Sequence, residues 1–104
     1  MIIVSSSSIA GKKIVKTLGL VRGNTIRARN IGKDILAGFK NIIGGEIEEY
    51  TKLMAEAREQ ALDRMAERAV ELGANAIIDV RFSTSYIMGA ASEILAFGTA
   101  VIIE

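Results

Sequence analysis

The sequence of 104 residues contains no cysteine, no histidine, no proline and no tryptophan, and its aromatic residues are two tyrosines and three phenylalanines. Without cysteine, the chain can form neither disulfides nor thiolate metal sites. Without histidine, it lacks the commonest metal ligand and the commonest general base near neutral pH. These absences predict a protein that is not an enzyme, binds no metal and carries no cofactor.

Long apolar runs are also missing. No stretch reaches the roughly 18 consecutive apolar residues of a transmembrane helix, and the apolar N-terminal segment Ile2–Val4 is shorter than a signal-peptide core. Half of the residues are hydrophobic, which is enough to form the core of one domain of this length. We therefore predict a single domain over residues 1–104, soluble and cytoplasmic, with no membrane partner.

The charges are divided unevenly, although the net charge is only +1. Residues 1–45 carry eight Lys/Arg against one Asp (+7), and residues 46–104 carry five against eleven acidic residues (−6). We expect the two halves to meet within one subunit or across a subunit interface. Nucleic-acid binding is the less favoured alternative, because few aromatic residues accompany the basic ones for stacking on bases.

Strand patterns lie at both ends of the chain. Segments 2–4, 12–23 and 75–83 are rich in β-branched or alternating apolar residues, which is typical of strands. Residues 22–25 (RGNT) carry a turn signal, after which residues 25–29 extend the strand or begin a new one. Residues 85–92 are expected to form a hairpin connection or loop, and 5–8 (SSSS) a loop or irregular edge.

Two helices are predicted in the middle of the chain. Apolar residues recur at three- and four-residue spacing over 31–43, with Asn30 as a candidate N-cap, and again over 46–72. Gly44 is suited to the left-handed conformation that ends a helix. With Gly45 it forms a predicted corner between the two helices. The expected order is β-β-α-α-β-β, an α+β fold with a small, mainly antiparallel sheet and the long helix packed on one face.

The last strand, within residues 93–103, is apolar on both alternating faces. A strand of this kind is buried on both faces. In a chain with helices enough for one face, the second cover is expected from another subunit.

Sequence motifs of catalysis are missing. The segment SIAGKKIVKT fails the phosphate-loop pattern, and no G-x-G-x-x-G occurs. The densest polar cluster lies at a predicted strand-to-helix junction. It could hold an anion there, or pair with acidic residues of the long helix or of a neighbouring subunit, and structural pairing is the favoured interpretation. Its members are Arg27, Arg29, Asn30, Lys33 and Asp34.

Several segments together resemble the YbjQ-type family of small bacterial and archaeal proteins labelled heavy-metal-binding. They are ARNIGKD (28–34), GGE…Y (44–50), EAREQAL (56–62), LGANA (72–76) and GTAV (98–101). The resemblance runs over essentially the whole chain. It implies a subunit that assembles into a ring-shaped homopentamer, with strands completing sheets between subunits and two rings stacking into a decamer in some members. It supplies no catalytic residues, and the metal label conflicts with a sequence that lacks cysteine and histidine.

One sector of the long helix is a candidate assembly patch. Glu59, Asp63, Ala66 and Val70 lie within about 60° of one another, from the helical repeat of ~3.6 residues per turn. The sector changes from charged to small and apolar, so Ala66 and Val70 could form an association surface. The favoured alternative is that this end of the helix is packed under a loop. Two alternatives to a simple homo-oligomer stay open. One is an engineered pentameric building block with a second protein component, and the other is an anion-, small-ligand- or metal-binding module on the ring.

Overall fold

The computed structural model describes residues 1–28, 45–88 and 91–104. Its elements are β1 (Ile2–Ile3), β2 (Ile14–Ala28), α1 (Gly45–Glu71), β3 (Ala76–Met88) and β4 (Ala91–Ile103). This order of strand, strand, helix, strand, strand differs from the predicted one. The first predicted helix, over 31–43, lies outside the described residues, and the second predicted helix corresponds to α1.

The four strands form one mixed sheet in the order β1-β3-β4-β2. Strand β4 pairs antiparallel with β2 and with β3, whereas β1 pairs parallel with β3. The α+β class is confirmed, as are the mainly antiparallel sheet and the long helix on one face.

A stripe of small residues brings α1 close to the sheet. Every fourth residue is fully buried: Ala57, Ala61, Met65 and Ala69. Such spacing places side chains on one side of a helix. They pack with Ile94 of β4 in the main core, and α1 lies chiefly over β2 and β4.

The predicted turn at residues 22–25 is wrong, because β2 runs unbroken through it. Register pairs continue from Leu20↔Thr99 to Ala28↔Ala91. Gly23 is present for a different reason. A Cβ atom there would overlap the backbone of α1 at Ala61 and Met65, so the glycine allows the helix to approach rather than the chain to turn.

The predicted hairpin connection at residues 85–92 is also too long. Strand β3 continues to Met88 and β4 begins at Ala91, and the two residues between them lie outside the described ones. Serine and threonine in STSYIM weaken the apolar alternation that identifies strands. Pairing with β4 nevertheless extends β3 by several residues.

The sheet face opposite α1 is covered at one end by the chain's own N-terminal segment. Val4, Ile9 and Ile14 pack against a second core cluster. The buried members of that cluster are Ala76, Ile78, Val101 and Ile103. Further along β4, Leu95 and Phe97 stay half-buried. The expected second cover of β4 is thus supplied in part within the subunit.

The subunit is elongated. Its radius of gyration is 17.0 Å, against about 13 Å for a compact domain of this length, and its extents are 55 × 23 × 17 Å. The strands explain this shape, since β2 has 15 residues and β3 and β4 have 13 each, while typical strands have about 5–6.

Candidate functional site

The outer edge of β3 divides into a covered part and an open part. The N-terminal segment covers it as far as Val80, through backbone hydrogen bonds from Val4 N to Ile77 O (3.0 Å), Asp79 N to Ser6 O (3.0 Å) and Val80 N to Val4 O (3.1 Å). In the described ranges, no strand pairs with this edge from Phe82 to Met88. An unpaired edge of this length is a template for pairing with another chain.

A β-bulge at Asp79 marks the boundary between the two parts. The register slips between Ile78 and Arg81, and Asp79 has φ +53°, the left-handed region that non-glycine residues seldom occupy. The predicted alternation of β3 fails here. Ile78 packs in the N-terminal cluster, whereas Val80 packs in the main core under α1.

Polar contacts at the bulge hold the serine loop at residues 5–8, which was predicted as a loop or irregular edge. Ser7 Oγ donates a hydrogen bond to Asp79 Oδ1 (2.7 Å), and the guanidinium of Arg81 donates to Ser5 O (2.7 Å) and Val80 O (2.9 Å). A nucleophilic serine would need a base that takes its proton and is itself oriented by a third group. The described contacts supply anchoring of the N-terminal segment instead.

The outer edge of β2 is the opposite end of the sheet, and α1 partly covers it. Arg64 of α1 donates a hydrogen bond from its guanidinium to the backbone oxygen of Asn24. Leu20 and Ile26 on the same strand are 67% and 54% exposed. They lie on the face away from the helix, since their neighbours Val21 and Thr25 are buried beneath it.

Exposed apolar side chains occur at several other positions. Phe82 is 45% exposed although its register partner Ala96 is fully buried, because α1 lies mainly over β2 and β4 and leaves this part of β3 uncovered. Among the residues whose burial is described, the other large exposed apolar side chains are Met1, Ile2, Ile3, Val15, Val70 and Leu72.

The predicted assembly patch is on the surface of α1. Val70 is 62% exposed and Ala66 half-buried. They line a shallow groove with acidic neighbours, namely Asp63, Glu67 and Glu71. The patch is therefore a small apolar strip bordered by carboxylates.

Most residues of the predicted polar cluster lie outside the described part of the chain. Arg27 belongs to β2, where its backbone is paired with Ser92. Arg29, Asn30, Lys33 and Asp34 lie outside the described residues, as does Gly44 of the predicted corner. Gly45 is the first residue of α1. Whether the cluster binds an anion or pairs between subunits stays a prediction.

Metal ligands do not converge in the described part of the chain. No group of three or more Asp, Glu, His or Cys side chains there could hold a metal ion. Soft heavy metals favour thiolate or imidazole ligands, and the whole sequence has neither. The residues present thus do not fit a heavy-metal centre. No helix in the same part is long and apolar enough to span a membrane.

The sequence analysis missed three residues that shape these surfaces. Gly23 was assigned to a turn, Asp79 to regular alternation, and Thr84 on the open edge of β3 to no role. A glycine inside an apolar strand pattern is a recognisable signal of close backbone approach. Asp79 offers no comparable signal, because most left-handed bulge positions carry glycine.

Comparison with known proteins places the chain among small proteins of similar length. The family model YbjQ_1, described as "Putative heavy-metal-binding", matches residues 1–104. A UPF0145 protein of Dehalococcoides mccartyi is 62% identical over 104 residues, covering all of both chains. A UPF0145 protein of Pyrococcus abyssi is 54% identical over 104 residues, covering all of this chain and 91% of the relative.

A solved structure shares the fold. The crystal structure of a protein of unknown function from Pediococcus pentosaceus, assigned to the DUF74 family, superposes with a TM-score of 0.66. The match covers 100% of this chain and 98% of that one, at 18% identity. At this identity the likeness concerns the fold alone.

Proposed function

The chain belongs to the YbjQ_1 family of UPF0145 proteins, and we propose that it is a non-enzymatic subunit that assembles into a ring-shaped homopentamer. The names of its relatives indicate no enzymatic activity. The single observation that carries the proposal is the open outer edge of β3, Phe82 to Met88, at one end of a sheet whose other end is the edge of β2.

Two different sheet edges support a ring. If the β3 edge of one copy pairs with the β2 edge of the next, the contact is head-to-tail, and such contacts close into rings when the rotation allows it. A two-fold dimer would instead pair one edge with itself and leave the other edge open. The number five comes from the family resemblance, and two rings could stack as a decamer.

The surface area of the subunit also favours assembly. Its accessible surface is 6870 Å², whereas a compact monomer of 11.1 kDa is expected to expose about 5,700 Å². Leu20, Ile26 and Phe82 of the long strands are among the large apolar side chains that stay exposed. Burial of these side chains between copies would contribute roughly 25 cal/mol for each Å² of apolar surface.

Sedimentation velocity of the full chain over a wide concentration range tests the proposal. We expect one dominant species of about 55 kDa, five times the chain mass of 11.1 kDa. A stable species of 11.1 kDa at every concentration would overturn it. A closed assembly with another number of copies would support a ring-shaped homo-oligomer but contradict the pentamer.

An engineered building block that recruits a second protein component is a further candidate, and the observation behind it is the exposed Val70 beside Ala66 on α1. This surface is separate from both sheet edges, so it could serve contacts between rings or with another protein.

A further inference from the structure

A cleft of about 300 Å³ lies at the edge of β2, between Arg68 of α1 and side chains that β2 and β4 direct away from the helix. Arg22 and Asn24 enter it from β2, Glu93 and Leu95 from β4, and Arg68 from α1. Arg64 lies one helical turn before Arg68, and its guanidinium donates a hydrogen bond to Asn24 O. This contact holds α1 against the edge of β2.

The two arginines in this cleft have no charge partner within the part of the chain that the structure describes. The guanidinium of neither Arg22 nor Arg68 forms a hydrogen bond or an ion pair there. Glu93 is the one carboxylate in the lining, and its Oε2 accepts a hydrogen bond from Asn24 Nδ2 (3.3 Å). The lining carries two positive charges and one negative, so a bound anion would relieve the repulsion between the guanidiniums.

The chemistry of the lining selects the kind of anion. Guanidinium groups present planar pairs of donors that match phosphate and carboxylate oxygens bidentately. The carboxylate of Glu93 accepts hydrogen bonds and would repel a second negative charge. The part of the ligand beside Glu93 must therefore be a hydrogen-bond donor. Leu95 supplies an apolar surface. The volume is at the lower end for small-molecule sites.

We propose that this cleft binds a small phosphate ester that carries a hydroxyl group. The phosphoryl group lies between Arg22 and Arg68, the hydroxyl donates to Glu93, and the carbon skeleton rests on Leu95. A nucleic acid fits less well, because the lining has no aromatic side chain for a base to stack on. This site is distinct from the predicted cluster around Arg29 and from the open edge of β3. Arg22 and Asn24 belong to the strand whose outer edge the proposed ring uses, so the oligomeric mass of the variants must be measured together with their ligand binding.

Isothermal titration of the full chain with sn-glycerol 3-phosphate, inorganic phosphate and glycerol tests the proposal. Ionic strength is held constant with sodium chloride, so that general screening does not vary. We expect saturable binding of one glycerol 3-phosphate per subunit, weaker binding of inorganic phosphate, and none of glycerol. Absence of saturable binding by both phosphates would overturn the proposal.

Single substitutions assign the contacts. Arg22→Gln and Arg68→Gln should each weaken glycerol 3-phosphate binding by about tenfold or more, since hydrogen bonds to charged groups are strong. Arg58→Gln, at an exposed position of the same helix, is the matched control and should bind as the unmodified protein does. Glu93→Gln should reduce the preference for glycerol 3-phosphate over inorganic phosphate.

The oligomeric mass of each variant separates the ligand from a contact between copies. We expect Arg22→Gln and Arg68→Gln to retain the mass of the unmodified protein. Equal phosphate binding by both variants and Arg58→Gln would overturn the site. Dissociation of both variants, together with no phosphate binding by the unmodified chain, would assign the arginines to carboxylates of a second copy instead. An unchanged preference in Glu93→Gln would refute the ester assignment.

Discussion

At the scale of single residues, Gly23 determines how closely α1 approaches the sheet. Its missing side chain leaves room for the helix backbone at Ala61 and Met65. The fully buried alanines of α1 complete the same close contact. A larger residue at position 23 would have to displace backbone atoms, which yield less readily than the end of a flexible side chain.

Gly23→Ala is therefore expected to destabilise the protein by about 3 kcal/mol, toward the upper end of the cost of overpacking a core. Urea unfolding followed by circular dichroism measures this change in the free energy of unfolding. Protein concentration must be equal in all samples, because association shifts apparent stability.

Gly73→Ala is the matched control for this substitution. Gly73 has φ +87°, but a Cβ there would meet nothing within 4 Å. Its replacement should cost only the left-handed backbone penalty of about 1 kcal/mol. The close-approach account of Gly23 is contradicted if Gly23→Ala costs no more than Gly73→Ala.

Asp79 shows what sequence patterns cannot predict at this scale. Its left-handed backbone shifts the register of β3, so that Ile78 and Val80 enter different clusters. The bulge depends on contacts remote in sequence, such as Ser7 Oγ to Asp79 Oδ1. The local alternation of apolar residues does not reveal these contacts. The simple strand pattern therefore places Ile78 and Val80 on the same face of β3, whereas they pack in different clusters.

At the scale of elements, the outer edge of β3 carries the proposed contact between copies. Val80 N points outward, since it donates to Val4 O. Alternate residues of a strand direct their amides to the same edge. Phe82 and Thr84 therefore present outward amides that no strand within the described ranges accepts.

Thr84→Pro should abolish pairing at this edge, because proline removes the donor while leaving the inward ladder to β4 intact. We expect the species of about 55 kDa to be replaced by one of 11.1 kDa in native mass spectrometry, with the circular dichroism spectrum of the fold retained. Thr84→Ala keeps the amide and should remain oligomeric. Persistence of the full assembly in a folded Thr84→Pro variant would exclude this edge from the interface.

Val70 on α1 tests the alternative of a larger designed assembly. Val70→Lys places a charge on the exposed strip beside Ala66 and should leave the proposed pentamer intact, because this strip is formed by α1 and not by either strand edge. The expected change in stability is within about 0.5 kcal/mol, as for other exposed sites. If Val70 mediates contacts between rings or with a second component, species larger than the pentamer disappear in native mass spectrometry. If the larger species persist unchanged in Val70→Lys, Val70 does not mediate contacts between rings or with a second component.

Elements with strong periodicity were predictable from the sequence, and those with weak periodicity were not. The helix predicted over 46–72 is α1 at Gly45–Glu71, because its apolar stripe continues over many turns. The ends of β3 and β4 depend on cross-strand pairing across a serine- and threonine-rich segment. That pairing is a tertiary interaction, so no local pattern reveals it.

At the scale of the whole molecule, the residues present do not fit the heavy-metal description of the family. The family model is described as "Putative heavy-metal-binding", but the sequence has no cysteine or histidine. In the described residues, carboxylates do not gather into a metal-binding group. The elongated shape, with a radius of gyration of 17.0 Å, instead supports the proposal that the chain is a component of an assembly.

The sequence led us to expect association between copies, which stays a prediction, but it did not indicate which surfaces would take part. The doubly apolar strand β4 indicated a missing cover, and part of that cover is the chain's own N-terminal segment around Val4 and Ile9. The open edges of β2 and β3 follow from the strand order, which the sequence does not encode locally. The Arg22–Arg68 cleft likewise depends on the packing of α1 across β2.

Amide hydrogen exchange of the unmodified protein at Phe82 and Thr84 is the most direct test of the central claim, that copies of this chain pair through the outer edge of β3. Neither amide has a strand partner within the described part of the chain, so strand pairing with another copy would protect both of them, and only at concentrations where copies associate. The account predicts slow exchange at both amides at high protein concentration and faster exchange on dilution below the association range. Exchange at the rate of an unprotected amide at every concentration would contradict it.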